Sequence, residues 1–311
     1  MLLNVIFVSI NILFSKGESM RRNILIAVLI LAGIVFAAES GPWEKSMGLN
    51  LNFSMSNFSE NWEGGDAGAI NWVASSDILL QKQMNEWFHN KNTVKLSFGQ
   101  THSQDVTTKN WRIPQKSDDL IELESVGRFT LETFVDPYAA VKLESQFLDG
   151  RVADNKRLFN PLKLTESAGI ARVFFKNEHR ELTSRFGFGV RQDIDRDVMT
   201  APDEYETRTI NDGGVEWVTE LRLPLADNRI KYSSKLGVFK AIFSSESEEL
   251  EGTPQADYWK APDINWENRF SANITEHLAV NLRIQLLYDK EIDLKGRHSE
   301  ILAFGFTYNL F

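Results

Sequence analysis

Ile301-Leu-Ala-Phe-Gly-Phe-Thr-Tyr-Asn-Leu-Phe311 closes the chain and decides how it folds. Bulky apolar or aromatic residues occupy every second position, and small or polar residues stand between them. A period of two places these two classes on opposite faces of a β-strand. In water, such a strand would be a poor sheet edge, because its unpaired backbone groups would pair with other chains. The stretch therefore predicts a closed sheet that this strand seals, with its bulky face toward lipid.

The same alternation recurs in twelve segments of about ten residues between positions 47 and 311. In residues 278–286, leucine, valine and isoleucine alternate with alanine, asparagine, arginine and glutamine. An even number of strands, with short turns on one side and long loops on the other, is typical of transmembrane β-barrels. Short turns are predicted at 135–138, 176–181, 224–229 and 275–277, and long loops at 103–118, 149–161, 194–212 and 244–261.

Two places depart from this rhythm. The link at residues 82–92 is longer than the alternation of short and long connections predicts. In the strand near 162–175, a strict period of two would put Glu166 and Arg172 on the apolar face. A β-bulge near residues 167–169 would remove that conflict, because a bulge changes which face the following residues occupy.

A soluble β-sandwich would also alternate, with its polar face toward water. The positions of the aromatic residues favour the membrane barrel, because they lie on the apolar faces and many stand near strand ends, as in the aromatic girdles of such barrels. These residues are Trp72, Trp217, Tyr232, Trp266, Tyr288 and Tyr308. The fold class predicted is a single all-β antiparallel transmembrane barrel of about twelve strands.

The front of the chain has the layout of a secretory signal peptide. Arg21 and Arg22 precede an apolar run from Ile24 to Phe36, and small residues follow at a plausible cleavage position. We expect residues 1–37 to be removed, translation to start at Met20, and residues 38–311 to form one domain. The alternative is an uncleaved anchor, but the run is shorter than the roughly 20 residues of a spanning helix.

Composition excludes several kinds of function. The chain has no cysteine, so it holds no disulfide, thiolate nucleophile or cysteine-ligated metal. Its net charge of −9 argues against a nucleic-acid partner, which would require a basic face.

These features together resemble bacterial outer-membrane β-barrels over residues 45–311. More narrowly, Asn61-Trp62-Glu63-Gly64-Gly65 followed by Ile70-Asn71-Trp72 resembles a barrel family of unassigned function. The resemblance implies an outer-membrane location, outer-membrane lipids and the barrel-assembly machinery as partners, short periplasmic turns and longer extracellular loops. It also implies a terminal assembly signal, in which Phe311 stands one residue out of step with the others: Phe304, Phe306, Tyr308, Leu310 and Phe311.

The polar faces of the predicted strands carry many charges of both signs, which would meet inside a barrel. Charged walls define a polar path and set ion preference in a pore. Barrels of about eight strands are filled by side chains and those of about sixteen are open, so twelve leaves both a narrow pore and an ion-paired interior open. The predicted lumen residues are Glu122, Glu124, Arg128, Lys142, Glu144, Arg185, Arg191, Glu216, Glu220, Arg222, Lys231, Lys235, Glu267, Arg269 and Arg283.

The mildest polar faces belong to the first and last strands. Residues 48–56 and 303–309 place glycine, alanine, serine, threonine and asparagine on those faces, without charge. If the two strands pair, they leave one uncharged stripe, and we expect the free space of the lumen there.

A partial calcium-loop spacing occurs in the predicted loop 194–212. Asp193, Asp195, Asp197 and Glu204 stand at the ligand positions, but Val198 replaces the glycine that the loop's turn needs, and no helices flank it. A solvated acidic loop is the simpler interpretation, and we expect neither a bound metal nor a cofactor.

No catalytic motif is apparent. His102 and Ser103 are adjacent, so on a strand they would point to opposite faces. Trp62, Gly64 and Gly65 fit either a ligand-contacting loop or a tight turn. The sequence predicts a non-enzymatic, porin-like component of the cell envelope, with a lipid-modifying enzyme or a surface-binding barrel as alternatives.

Overall fold

The computed structural model describes residues 42–58, 67–150, 157–177, 179–201, 204–275 and 277–309, so the predicted signal peptide lies outside the described residues. Twelve antiparallel strands close into one barrel, and two short strands form a separate sheet. Among the described residues, no helix is long and apolar enough to cross a membrane. The strands are β1 (Glu44–Ser56), β2 (Ala69–Asn85), β3 (Phe88–Ser103), β4 (Gln115–Phe129), β5 (Asp136–Ser145), β6 (Leu148–Asp149), β7 (Arg157–Leu158), β8 (Leu162–Lys176), β9 (Glu181–Ala201), β10 (Glu204–Leu225), β11 (Ile230–Ser244), β12 (Pro262–Asn273), β13 (Leu278–Tyr288) and β14 (Arg297–Asn309).

The last strand seals the barrel, as its sequence predicts. β14 pairs with β13 on one side and with β1 on the other, where Leu51 lies opposite Phe306 and Asn52 opposite Gly305. Closure satisfies the backbone groups that an open edge would leave unpaired. The prediction of a single twelve-stranded antiparallel barrel is confirmed.

The outer surface of the barrel is apolar. Phe53 on β1 is 58% exposed, and Phe304 and Phe306 on β14 are each 65% exposed. Large side chains of this kind are normally buried in a protein that faces water, and a continuous exposed belt of them marks a lipid-facing surface. The soluble sandwich is therefore excluded, because its bulky residues would face inward.

Short and long connections alternate around the barrel except between β9 and β10, where β9 ends at Ala201 and β10 begins at Glu204. The predicted long link between β2 and β3 is wrong: both strands extend, and only Glu86 and Trp87 lie between them. The predicted loop 194–212 is also wrong over most of its length, because β9 and β10 continue through it as a hairpin. We refer to the two rims as the short-turn end, where both described termini lie, and the long-loop end.

The predicted bulge at residues 167–169 is wrong as well. β8 pairs with β5 without interruption there, and the irregularity lies between Val173 and Phe175. Glu166 therefore stays on the outward face, opposite Val141 and Val190. Arg172 also stays outward, where its guanidinium lies 3.7 Å from the centroid of the Phe134 ring. An arginine near a strand end can bury its stem against aromatic groups while its charge stays near the interface, so no bulge is needed.

Candidate functional site

The inward face of the barrel surrounds two polar cavities of about 470 and 630 Å³. All of the predicted lumen residues except Arg128 line one cavity or both. Arg128 instead donates a hydrogen bond from Nη1 to Asp136 Oδ2, at 2.7 Å, beside the turn that joins β4 and β5. The period of two thus brings these charges from seven strands, β4, β5 and β9 to β13, toward one axis.

A central ion-pair layer crosses the lumen where the two cavities meet. Lys235 on β11 places Nζ 2.7 Å from Glu124 Oε2 and 3.3 Å from Glu122 Oε1 on β4. Four strands separate β4 from β11 around the wall, so these bonds span the interior. Glu124 accepts a further hydrogen bond from Arg185. The layer consists of Lys91, Lys95, Glu122, Glu124, Arg185, Glu220, Lys235 and Glu267.

Two lysines of β3 complete this layer. Lys91 pairs with Glu220 on β10, and Lys95 Nζ lies 3.4 Å from Glu267 Oε1 on β12 and 3.5 Å from Glu122 Oε1. Lys95, Lys235 and Glu267 line both cavities, which places the layer at their junction. Glu122 is only 7% exposed and Glu124 only 4%. Charges buried to this degree are tolerated only when they are paired, as here.

We call the cavity toward the long-loop end the long-loop cavity. Its lining is acidic. Ten carboxylates and eight cations line it. Glu216 reaches it from β10 with Oε2 buried and without a hydrogen-bond partner among the described residues. At the rim, Glu291 follows the lining residue Asp289. Partial burial, together with the charges of Asp212, Asp289 and Asp263, raises the pKa of Glu291 from 4.5 to about 7.

We call the cavity toward the short-turn end the short-turn cavity. Its lining has the opposite balance of charge. Seven cations and four carboxylates line it. β1 and β14 contribute only uncharged lining groups from the inward face, among them Gly48, Asn50, Asn52 and Ala303. The cavity thus lies along the uncharged stripe in which the sequence predicts free space, beside the β1–β14 pairing.

One sector of the lumen is filled by apolar side chains. Tyr138 and Ala140 of β5 pack with Ala171 of β8 and with Val126. Tyr138 is 3% exposed, and Gly187 on β9 leaves space for its hydroxyl. The sequence does not reveal this cluster, because Tyr138 lies in a predicted turn and Ala140 is small. It narrows the interior beside the central ion-pair layer.

The residues of the calcium-like spacing lie on the β9–β10 hairpin, where two of the acidic side chains have partners of their own. Asp193 pairs with Lys163 at 3.2 Å, and Asp195 accepts hydrogen bonds from Arg157 and Asn160. Glu204 is exposed at the start of β10. In the described part of the chain, no group of three or more acidic or histidine side chains is arranged to hold a metal ion. A β-hairpin replaces the compact loop that the spacing would require.

Several lumen charges were missed because the predicted strands were too short. Lys91 lies in the segment interpreted as a long link, and Asp118 in the segment interpreted as a loop. Asp118 accepts a hydrogen bond from Arg283 at 3.1 Å, and Asp77 accepts two from Arg269. If the alternation of inward and outward positions is continued beyond the predicted strand ends, Lys91 and Asp118 fall on the inward face.

The other residues singled out in the sequence lie apart from the lumen. His102 packs its ring 4.8 Å from that of Trp111 at the end of β3. Phe304 and Phe306 face outward, and the backbone of Tyr308 pairs with Leu49. Leu310, Phe311, Trp62, Gly64 and Gly65 fall outside the described residues.

A family model described as "Protein of unknown function (DUF3078)" matches residues 53–150. No curated protein matches the sequence. Among solved structures, the chain is similar to the translocator domain of the autotransporter NalP from Neisseria meningitidis, at 10% identity and a TM-score of 0.37, covering 93% of this chain and 96% of that one.

Two outer membrane channels are also similar. The COG4313 outer membrane channel from Pseudomonas putida F1 has 13% identity and a TM-score of 0.37, covering 87% of this chain and 96% of that one. The outer membrane channel DcaP of Acinetobacter baumannii has 6% identity and a TM-score of 0.29, covering 88% and 99%. The closed antiparallel barrel of this chain is established by its own strand pairing.

Proposed function

We propose that this barrel is a narrow passive channel of the outer membrane for small polar solutes, closed at rest by the central ion-pair layer. One observation carries the proposal: two polar cavities reach from opposite ends of the barrel and meet at that layer. A barrel with only a structural role has no need of water-accessible space on both sides of its middle.

The outer surface supports the location. Its exposed apolar belt fits a bilayer, and the predicted signal peptide would bring the chain to the envelope. The short-turn end then faces the periplasm and the long-loop end faces outward. Lipids that contact this belt, and an assembly machinery that reads Phe304 and Phe306, are the partners of this proposal. In this proposal the barrel has no catalytic step and no nucleic-acid partner.

Conduction requires the ion-pair layer to part. Lys235 is the central cation, because it bonds both carboxylates of β4 across the lumen. Separating these largely buried charges is unfavourable, so openings would be rare and brief. Small hydrated ions and solutes would pass only while the layer is open, which gives a low mean conductance.

Planar-bilayer recording tests the channel with two double variants. Lys235→Ala with Glu124→Ala removes one charge of each sign from the layer and should increase conductance several-fold over the unmodified barrel. Lys163→Ala with Asp193→Ala removes an ion pair of 3.2 Å that lines only the long-loop cavity, and should leave conductance unchanged.

Folding is checked first, because a membrane barrel migrates differently on a denaturing gel before and after boiling. Equal mobility of the two samples would contradict the membrane barrel itself. Folded protein that shows no openings in the unmodified form and in both variants would exclude the channel. An equal increase in both variants would remove the central layer as the gate.

A further inference from the structure

The short-turn cavity carries an excess of positive charge that its own carboxylates do not balance. Seven cations line it against four carboxylates. Lys231 has no ion-pair or hydrogen-bond partner in the described part of the chain, and Arg222 has only Glu181, at 3.7 Å. Lys231 is exposed and the Arg222 side chain is 40% exposed, so both cationic groups are open to an anion that enters the cavity.

The strand register concentrates the cations on one wall. Arg222 lies opposite Ser233, which in turn lies opposite Arg269. Arg269 lies directly opposite Arg283 on the same inward face. Like charges at directly opposed positions destabilise a sheet. Asp77 and Asp118 each hold one of these arginines, yet Lys231 stands one pleat further toward the short-turn end with no such partner.

The facing wall is uncharged and rich in hydrogen-bonding groups. β1 and β2 present Asn50, Asn52 and Ser75 to the same cavity. Asn52 Oδ1 is buried without a hydrogen-bond partner among the described residues, as is Asn281 Nδ2, which also lines the cavity. A buried polar atom without a hydrogen bond is unfavourable, and a bound polar molecule would supply the missing bond.

We infer that the short-turn cavity binds a small hydroxylated anion, such as a sugar phosphate or a sugar acid. Its anionic group lies against Lys231 and Arg222, and its hydroxyls bond to the asparagine and serine wall. The cavity of about 470 Å³ falls within the range of small-molecule sites, about 300–1,000 Å³. Lys231 and Asn273 lie at the ends of their strands, so the ligand reaches the site from the short-turn rim.

This inference deepens the proposed channel function by naming the class of its solute. The test does not require conduction, since titration calorimetry on the folded barrel in detergent measures binding to the closed state. Glucose 6-phosphate, inorganic phosphate and glucose serve as probes. Glucose 6-phosphate should bind at least tenfold more tightly than either of the others, and its affinity should fall with added salt.

Two variants locate the site. Lys231→Gln with Arg222→Gln should weaken glucose 6-phosphate binding at least tenfold. Lys163→Gln with Arg208→Gln changes the same residue types in the long-loop cavity and should leave binding unchanged. Both variants must retain heat-dependent gel mobility.

Other outcomes overturn the inference. Equal affinities for phosphate and glucose 6-phosphate would reject the hydroxylated class. Equal losses in the two variants would reject the location, and binding of none of the probes would reject the site. A barrel that conducts without binding refutes this inference alone, whereas one that binds without conducting refutes the channel alone.

Discussion

Inside the wall of the barrel, Gly187 stands where no larger residue fits. A Cβ at this position would lie 2.3 Å from the backbone oxygen of Ala168 and 2.8 Å from the hydroxyl of Tyr138. Both distances are shorter than side chains tolerate, and the first involves backbone that cannot simply rotate away. The glycine thus allows Tyr138 to fill its sector of the lumen.

We expect Gly187→Ala to lower the stability of the barrel by about 1–3 kcal/mol, the usual cost of overpacking. Urea unfolding of the barrel in lipid vesicles, followed by tryptophan fluorescence, measures this. Gly237→Ala is the matched control, because its nearest neighbour, Asn265 O, lies 3.9 Å from the added Cβ. A Gly187→Ala barrel as stable as the control would show that Tyr138 and the neighbouring strand shift without cost.

Among the elements outside the barrel wall, the segment from β6 to β7 is tied down by buried polar groups. Asp149 and Asn160 have no exposed surface, and Asn160 Nδ2 donates to Asp149 Oδ2 at 2.9 Å. Arg157 donates to both Asp149 and Asp195, and so joins this segment to the β9–β10 hairpin. Because the network lies outside the closed sheet, its loss should loosen the loop and leave the barrel intact.

Asp149→Ala should therefore cost the loop about 3 kcal/mol, since it leaves Arg157 with less compensation. That energy corresponds to a roughly hundredfold rise in the open population. Limited trypsin digestion with mass spectrometry should then detect cleavage after Arg157 while the strands stay protected. Asp105→Asn, which alters the exposed pair with Arg112, should produce no such cleavage. Cleavage in both variants, or in neither, would contradict the role of Asp149.

The strand elements show how far sequence alone reaches. Alternation predicts the number of strands, their closure and the inward residues at strand centres, such as Glu124 and Lys235. It misses strand ends, because Lys91 and Asp118 lie in polar segments that resemble loops in sequence but belong to β3 and β4 in the structure. It also cannot predict which charges pair, since four strands separate Lys235 from its partners on β4 and two strands separate Arg185 from its partner there, so these contacts depend on how the barrel curves and closes. Alternation also does not predict that Tyr138 is buried in the lumen, because its partner Gly187 lies on a strand two positions away around the barrel.

Across the whole molecule, charge is divided along the barrel axis. The long-loop cavity is lined by more carboxylates than cations, and the short-turn cavity by more cations than carboxylates. The ion-pair layer lies between them, so each end attracts small ions of the opposite sign. In the proposed channel, the outer end would concentrate cations and the inner end anions. How the cation selectivity of the outer end changes with pH then depends on which of its carboxyl groups titrates near neutrality.

Glu291 is that carboxyl, because its pKa is raised to about 7 by partial burial and by the neighbouring acidic groups. The fold therefore favours its neutral form: this contribution to stability is present below pH 4.5, the ordinary value, and is lost as pH rises through about 7. Above that pH, Glu291 adds a negative charge to the long-loop rim. We expect cation selectivity, measured as reversal potential in a salt gradient, to increase between about pH 6 and pH 8, one unit on either side of the midpoint. Carboxyl NMR of the folded barrel should show the same midpoint.

Glu291→Gln should abolish this pH dependence and hold selectivity at its acidic value. Asp257→Asn is the control, because the hydrogen bond from Lys260 lowers the pKa of Asp257 and keeps that carboxylate ionised throughout the range. The control should change selectivity equally at every pH, if at all. An NMR midpoint near the ordinary value of 4.5 would mean that the acidic groups around the rim do not act on Glu291, and selectivity that still rises with pH in Glu291→Gln would assign the titration to another group.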